Sequence, residues 1–478
     1  MSTTPDSHLA PNGTAEGESS LSWRYEVRTP ALRRYLSAYT FAALGFALLG
    51  GATSLLLPLQ VQGLEFARIF TGANASVDIQ KLTELQAAVA AHTVTATAQQ
   101  QHLLNLLTEL NTSKASGLSI VFAVSVTFTV ILLPIVGMLS DRTRSRWGRR
   151  APWILGGVVS GGAFLILMPF SPILGVLVAL NTLVTLAINS SSTAISATVA
   201  DRVPNERIGL ASALTGALGY LGAVIGALVA GILFNAIGLA AYFPFAIFVV
   251  VVALVFSLVA RDKSTKDLIK TRLHLKSFFL AFVSALRDTD YRFAWIAKVL
   301  LFTGYAMSSG YSVYMLQSYI HPFMSASQAA VTSPLLGIVG VPFALIGIVI
   351  VGRWSDKIRR RKPFVIASSL IMAISFLVPF VWPTLPAMFI QVAVMSIGFG
   401  AFIVVDQALF IEVLPNPAAA GRDLGLSGIG LSVGQALGPA IAGVIVTVLA
   451  GAYGPIWLVA CVFVLISTAL IIPIKRVR

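Results

Sequence analysis

The chain has 478 residues, of which 56% are hydrophobic and 11% charged, with a formal net charge of +14 and a single cysteine. Globular proteins average about 45–50% apolar and about 25% charged residues, so this composition excludes a soluble enzyme domain, a disordered chain and a disulfide framework. A helix crossing the hydrocarbon core takes about 20 apolar residues, and twelve crossings take about 240, close to the hydrophobic content here; the chain reads as a polytopic membrane protein.

Residues 1–23 are polar, rich in Ser, Thr, Gly and Pro, and lack a basic segment ahead of an apolar core, so they read as a disordered cytoplasmic tail rather than a signal peptide. Twelve long apolar runs follow, at roughly 36–62, 116–139, 152–170, 172–200, 208–236, 239–260, 292–320, 329–352, 364–381, 384–412, 425–450 and 452–474. The connection between the first two, 64–115, is long for a loop without structure of its own. In it Leu82, Leu85 and Val89, then Leu103, Leu106, Leu107 and Leu110, recur at helical spacing. They predict a hairpin of two amphipathic helices, about 76–99 and 100–113, over the external mouth, either as decoration or as a lid or partner-docking site. Asn74 and Asn111 fit the glycosylation sequon.

With the N-terminus cytoplasmic, 29 of the 33 basic residues fall on one side: the Arg24–Arg34 segment, Arg142–Arg150, Arg202, Arg207, the linker from Arg261 to Arg292, Arg353–Lys362, Arg422 and the Lys475–Arg478 tail. Arg68, Lys81 and Lys114 lie in the long outer loop, and Lys298 lies within a span. Positive-inside topology explains the basic balance without nucleic acid and places both termini in the cytoplasm. Cys461 has no partner and carries no redox information.

The chain repeats itself. Gly137, Ser140 and Asp141 match Gly352, Ser355 and Asp356 at an offset of 215, and Pro152 matches Pro363 at 211. Asp201 and Pro204 match Glu412 and Pro415 at 211; Gly222, Gly226 and Gly231 match Gly434, Gly438 and Gly443 at 212. The predicted organisation is a first six-helix domain over 24–260 containing the 64–115 insertion, a basic cytoplasmic linker at 261–290, and a second six-helix domain over 291–478. An even number of spans per unit keeps both copies in one orientation.

The loop GMLSDRTRSRWGRRAPW (137–153) resembles the loop motif of the major facilitator superfamily. The string through Gly157, ADRVPNERIG after span 4 and DQALFIEVLP in span 10 are similar to its glycoside–pentoside–hexuronide and sucrose symporter branch. The resemblance spans nearly the whole chain except 1–23 and 64–115. It implies an all-α, twelve-span bundle of two six-helix repeats, alternating access around a midplane cavity, spans 1, 4, 7 and 10 along the pathway, and a monomer. Family members of this kind hold their halves closed on the cytoplasmic side through acid–arginine sets at helix ends; the matching positions are Asp141, Arg142, Arg149, Arg150, Asp201, Arg207, Asp356, Arg360 and Glu412. Such acids also suit neighbouring helix N-termini. Gly216, Gly219, Gly222 and Gly226, with Gly430, Gly434 and Gly438, recur at spacings that let helix backbones approach.

Polar groups inside a bilayer normally face protein or a water-filled cavity. In span 4, Asn181, Thr185, Asn189, Ser192 and Ser196 share one helical face; in span 7, Lys298, Tyr305, Ser309, Ser312 and Tyr319 do the same. These stripes predict a cavity suited to a neutral, hydroxyl-rich cargo. Lys298 and Asp406 are the ionisable residues well inside spans, each about two turns from a cytoplasmic end, which allows a pair with Asp406 as the coupling acid; snorkelling and a plain structural pair are the simpler readings. Relative to the resembled branch, span 2 holds no acid and span 4 offers asparagines only, which leaves uniport and export open.

The expected function is secondary transport of a small neutral solute, a sugar or glycoside, with proton symport, in the plasma membrane. Efflux of an amphipathic compound is the second reading, and a non-transporting sensor the third. No Gly-x-x-x-x-Gly-Lys-Ser/Thr string occurs, so no primary pump is expected; with transport as the reading, no enzyme activity, cofactor or metal is expected either.

Overall fold

The computed structural model describes residues 29–261, 284–358, 360–414 and 420–476, with side chains at 29, 30, 141, 200, 201, 205–213, 217, 356 and 420–425 outside the described set. The described chain is almost wholly helical. The helices are α1 (Thr29–Ile69), α2 (Ile79–Ala90), α3 (Ala98–Arg142), α4 (Ala151–Leu167), α5 (Leu174–Arg202), α6 (Asn205–Ile237), α7 (Tyr242–Val259), α8 (Thr289–Gly310), α9 (Ser312–Ser318), α10 (Ala326–Ile358), α11 (Lys362–Val381), α12 (Leu385–Glu412), α13 (Ala420–Val448) and α14 (Pro455–Ile471). Among the described residues nine stretches are long and apolar enough to cross a membrane; one of them, Leu214–Val259, takes in most of α6 and all of α7. In hydrocarbon a backbone must satisfy its own hydrogen bonds, which helices do internally.

The packing is duplicated. In the first half α1 packs on α6, α7 and α3, α5 on α3 and α4, and α4 on α7. In the second half α8 packs on α13 and α14, α12 on α10 and α11, and α11 on α14. The halves meet through α3 with α13 and α6 with α10, a pair of contacts that the repeat exchanges. The equivalence reaches single atoms. A Cβ on Gly222 would stand 3.0 Å from the Leu44 carbonyl oxygen and one on Gly226 2.0 Å from that of Leu48. At the repeat positions, a Cβ on Gly434 would stand 2.6 Å from the Val299 oxygen and one on Gly438 2.7 Å from that of Thr303. Gly430 is closed by Trp295 at 2.9 Å, whereas nothing lies within 4 Å of a Cβ on Gly216 or Gly219, so those two do not belong to the tight seam that their spacing predicts.

The insertion differs from its predicted form. α2 is shorter than the first predicted arm, its start capped by Asp78, whose side chain accepts from Gln80 N and Lys81 N. The second arm is no separate helix: it runs without interruption into span 2 as the 45-residue α3, entered through a Thr97–Gln100 capping box. At about 1.5 Å per residue α3 is about 68 Å long, more than twice the hydrocarbon thickness of about 30 Å, so its first turns stand clear of the membrane. Phe70, Leu82, Leu104, Leu107 and Leu110 give this extramembrane part its own small core.

Replacing Gly226 by Ala drives a methyl into the Leu48 backbone and is expected to destabilise the protein by about 2–3 kcal/mol. Gly216→Ala is expected to be neutral; thermal unfolding in detergent compares the two.

Candidate substrate cavity and buried charge pair

A cavity of about 430 Å³ opens between α1 and α5. Ala43, Phe46, Ala47, Leu49, Gly50 and Thr53 form one wall; Asn181, Val184, Thr185, Ile188, Asn189 and Ser192 form the other. Four of the five stripe residues of span 4 therefore line one space, while Ser196 is exposed. No ionisable side chain lines it. Several of its polar groups are already engaged. Asn181 donates to Ser125 Oγ at 2.8 Å, Thr185 to the Asn181 carbonyl at 2.7 Å, and Thr53 to the Leu49 and Gly50 carbonyls at 3.0 Å. Among the described residues the side chains of Asn189 and Ser192 have no such partner, and they are the groups open to a solute.

The span 7 stripe does not share this cavity. The helix breaks at Tyr311, between α8 and α9, so a face counted through the break is not continuous. Tyr305 stacks on Phe399 with ring centroids 4.6 Å apart. Ser309 is exposed and donates to the Tyr305 carbonyl at 3.2 Å. Ser312 bonds Ser333 at 2.7 Å, and the Tyr319 hydroxyl donates to the carbonyls of Pro379 and Phe380 at 3.2 Å. Tyr220 of α6 and Ser396 of α12 come together from the two halves beside Gly340, where an added Cβ would stand 3.4 Å from the Tyr220 hydroxyl and 2.5 Å from Ser396 Oγ, a juxtaposition that no sequence stripe predicts.

Lys298 and Asp406 are together. Lys298 Nζ donates to Asp406 Oδ2 at 2.7 Å and to Ser427 Oγ at 2.9 Å, and lies 4.7 Å from the centre of the Phe410 ring. Each side chain is 9% exposed. Lys298 therefore does not snorkel; α8, α12 and α13 enclose its ammonium within a charge-assisted bond, a hydroxyl and a ring face.

The helix-end set is less complete. Asp141, Asp201, Arg207 and Asp356 have side chains outside the described residues. Arg150 is buried, Arg142 and Arg149 are half-buried, and Arg360 is exposed. Glu412 is met by Arg361 rather than Arg360: Arg361 Nε stands 3.6 Å from its Oε1, and Arg361 donates to Ser355 Oγ at 2.7 Å. Arg202 is buried, donates to the carbonyls of Ala260 at 2.9 Å and Arg261 at 3.2 Å, and lies 5.5 Å over the Tyr35 ring.

Among the described residues the hydrogen bonds between the halves gather on the face opposite the chain termini. Gln62 and Gln317 exchange amide hydrogen bonds of 2.8 and 3.1 Å. Tyr314 donates to the Pro58 carbonyl at 2.7 Å, Tyr311 to that of Ala115 at 2.8 Å, and Ser119 to that of Ala440 at 2.8 Å. On the termini face, Arg361–Glu412 and Arg476–Asp288, the latter at 2.6 Å, lie within the second half.

The description Major Facilitator Superfamily matches residues 87–348 and 314–478. Among solved structures, a bacterial homologue of the human lysosomal transporter Spinster, inward-facing and occupied, superposes with a TM-score of 0.65 at 14% identity, covering 95% of this chain and 98% of that one. Its unoccupied form gives 0.61 at 15% identity over 93% and 97%. A mutant of the nucleoside transporter NupG gives 0.64 at 12% identity over 92% and 99%. An uncharacterized symporter, sll1374, of Synechocystis sp. (strain ATCC 27184 / PCC 6803 / Kazusa) is 44% identical over 71 residues, 15% of this chain and 13% of its own length. With the duplicated helical packing and the membrane-length helices, these matches establish that the chain is a multi-pass membrane transporter belonging to the major facilitator superfamily.

Proposed function

We propose that this protein carries a small neutral solute, a sugar or glycoside, by alternating access, with a proton as the coupled ion. It would sit as a twelve-span monomer in the plasma membrane with both termini cytoplasmic. The observation that carries this reading is the separation of two chemistries. The cavity presents amides and hydroxyls without charge, and the buried Lys298–Asp406 pair lies between other helices in the second half. A neutral solute can be held by Asn189 and Ser192 without compensating a charge, which suits a cavity whose polar groups are few and fixed. Protonation of Asp406 would release Lys298 and so link proton occupancy to the packing of α8, α12 and α13. The contacts on the face opposite the termini support an inward-facing state, and the Spinster-homologue structures are described as inward-facing. A second reading, efflux of an amphipathic compound, is favoured by Phe46, Leu49, Val184 and Ile188 in the wall and by the hydroxyls already spent on backbone.

Labelled sucrose and maltose offered to proteoliposomes distinguish these readings. Sugar symport predicts uptake that an inward proton gradient stimulates, with the stimulation lost in Asp406→Asn. Asn189→Ala is expected to weaken apparent affinity about three- to tenfold, the worth of one hydrogen bond. Absence of uptake, with gradient-driven extrusion of an amphipathic dye, would replace the sugar reading by efflux.

The charge pair also makes a stability prediction. Asp406→Leu alone leaves a buried ammonium and is expected to cost about 3–5 kcal/mol, whereas Lys298→Met with Asp406→Leu recovers most of the loss. Thermal unfolding of both variants in detergent checks it.

A further inference from the structure

The 64–115 insertion belongs to the first half by chain connectivity, yet its polar side chains reach the second. Gln80 of α2 donates to the Phe323 carbonyl at 3.0 Å. Asn111 accepts from Ser318 Oγ at 3.3 Å through its side chain and from the Tyr453 hydroxyl at 3.1 Å through its backbone. Lys114 is fully buried, 0% exposed. Its Nζ donates to Ser318 Oγ at 3.3 Å and lies 4.9 Å from the Tyr314 ring centre and 5.6 Å from that of Tyr453. Those three partners belong to the second half. Among the described residues no carboxylate lies within 4.0 Å of this ammonium, so it is buried on the strength of two ring faces and a hydroxyl from across the interface.

Next to Ser318 in the chain, Gln317 pairs with Gln62 across the halves. They are 255 positions apart, the separation that also relates Leu44 to Val299 and Leu48 to Thr303 in the glycine seams, so the two amides are repeat equivalents paired face to face. Both are buried, 8% and 3% exposed. A buried amide pair is satisfied only while closed; each amide meets water when the mouth opens.

We propose that the insertion is a strap across the distal gate: it docks Asn111 and Lys114 on Ser318, Tyr314 and Tyr453, and together with the Gln62–Gln317 pair holds that face shut until solute or ion binding releases it. The proposal rests on the alternating-access reading, and it goes beyond that reading in assigning the insertion a conformational role.

The test needs no knowledge of the solute. Spin labels at Lys81→Cys and Ser327→Cys, in a Cys461→Ser background, report the distance between strap and second half in detergent or in lipid. Gln62→Leu strands Gln317 in the closed state and is expected to raise the long-distance population about tenfold. Gln62→Leu with Gln317→Leu leaves no amide unpaired and is expected to return the distribution to the short distance. Asn111→Ala is expected to act in the same direction as Gln62→Leu. A distribution unmoved by either single change, or a double variant as open as the single, would overturn the strap. Asn111→Cys with Ser318→Cys, joined by a short bifunctional thiosulfonate, is expected to abolish distal opening until reduced. Distal opening at the wild-type level, measured with the cross-link complete, would equally overturn it. Distances that respond as expected in a protein that moves no solute would support the strap while overturning the solute reading.

Discussion

Close approach of backbone to backbone at four glycines sets the architecture. Gly222 and Gly226 admit the carbonyls of Leu44 and Leu48, and Gly434 and Gly438 admit those of Val299 and Thr303. In a bilayer the lipid tails are as apolar as leucine, so helices associate by fit rather than by escape from water, and small residues let that fit become intimate. Each seam ties the first helix of a repeat to its fifth, so each half behaves as a packed body. Packed interiors do not deform continuously; relative motion is therefore directed to the places where the halves meet, α3 with α13 and α6 with α10.

Symmetry and chemistry then part company. The separation of 255 that relates the glycine partners also relates Gln62 to Gln317, so the distal closure is a symmetric device made from both repeats. The same separation sets Lys298 against Ala43, and the offset of 211 sets Asp406 against Ile195. The charge pair has no counterpart in the first half, and Ala43 lines the cavity instead. Asn181 and Asn189 likewise fall opposite apolar or glycine positions of α12. One half thus carries the uncharged polar cavity and the other the Lys298–Asp406 pair, on a scaffold whose packing is common to both.

Much of this organisation is legible in the sequence because the membrane imposes it. Apolar runs, the side bias of arginine and lysine, and the offsets of the glycine and Ser-Asp landmarks follow from bilayer thickness and duplication. The Lys298–Asp406 pair is legible because ionisable residues inside spans are few and these two lie at similar depth. What sequence periodicity misses is where helices stop being regular. The break at Tyr311 rotates Ser312 and Tyr319 away from the face that carries Tyr305, and the seamless α3 hides the join between insertion and span. Arg361, the neighbour of the Arg360 that the motif singles out, is the residue that stands beside Glu412, a choice that composition does not make between adjacent arginines. The Gln62–Gln317 pair was hidden for another reason: the insertion between spans 1 and 2 shifts the repeat offset by about forty residues, so an alignment held near 211–215 never places the two amides together.

The insertion also changes what the repeat can do. A plain duplication would close its distal mouth with whatever the two repeats share, here an amide from each. Adding an arm to one repeat only makes that closure unequal, because Lys114 and Asn111 draw on Ser318, Tyr314 and Tyr453 from a segment that the first repeat alone carries. The buried ammonium gains ring faces on closing and loses water, two opposing terms of similar kind. An element balanced in this way favours neither state strongly, which is what a gate in a cycling carrier requires: a closure stable enough to seal and weak enough to open each turn.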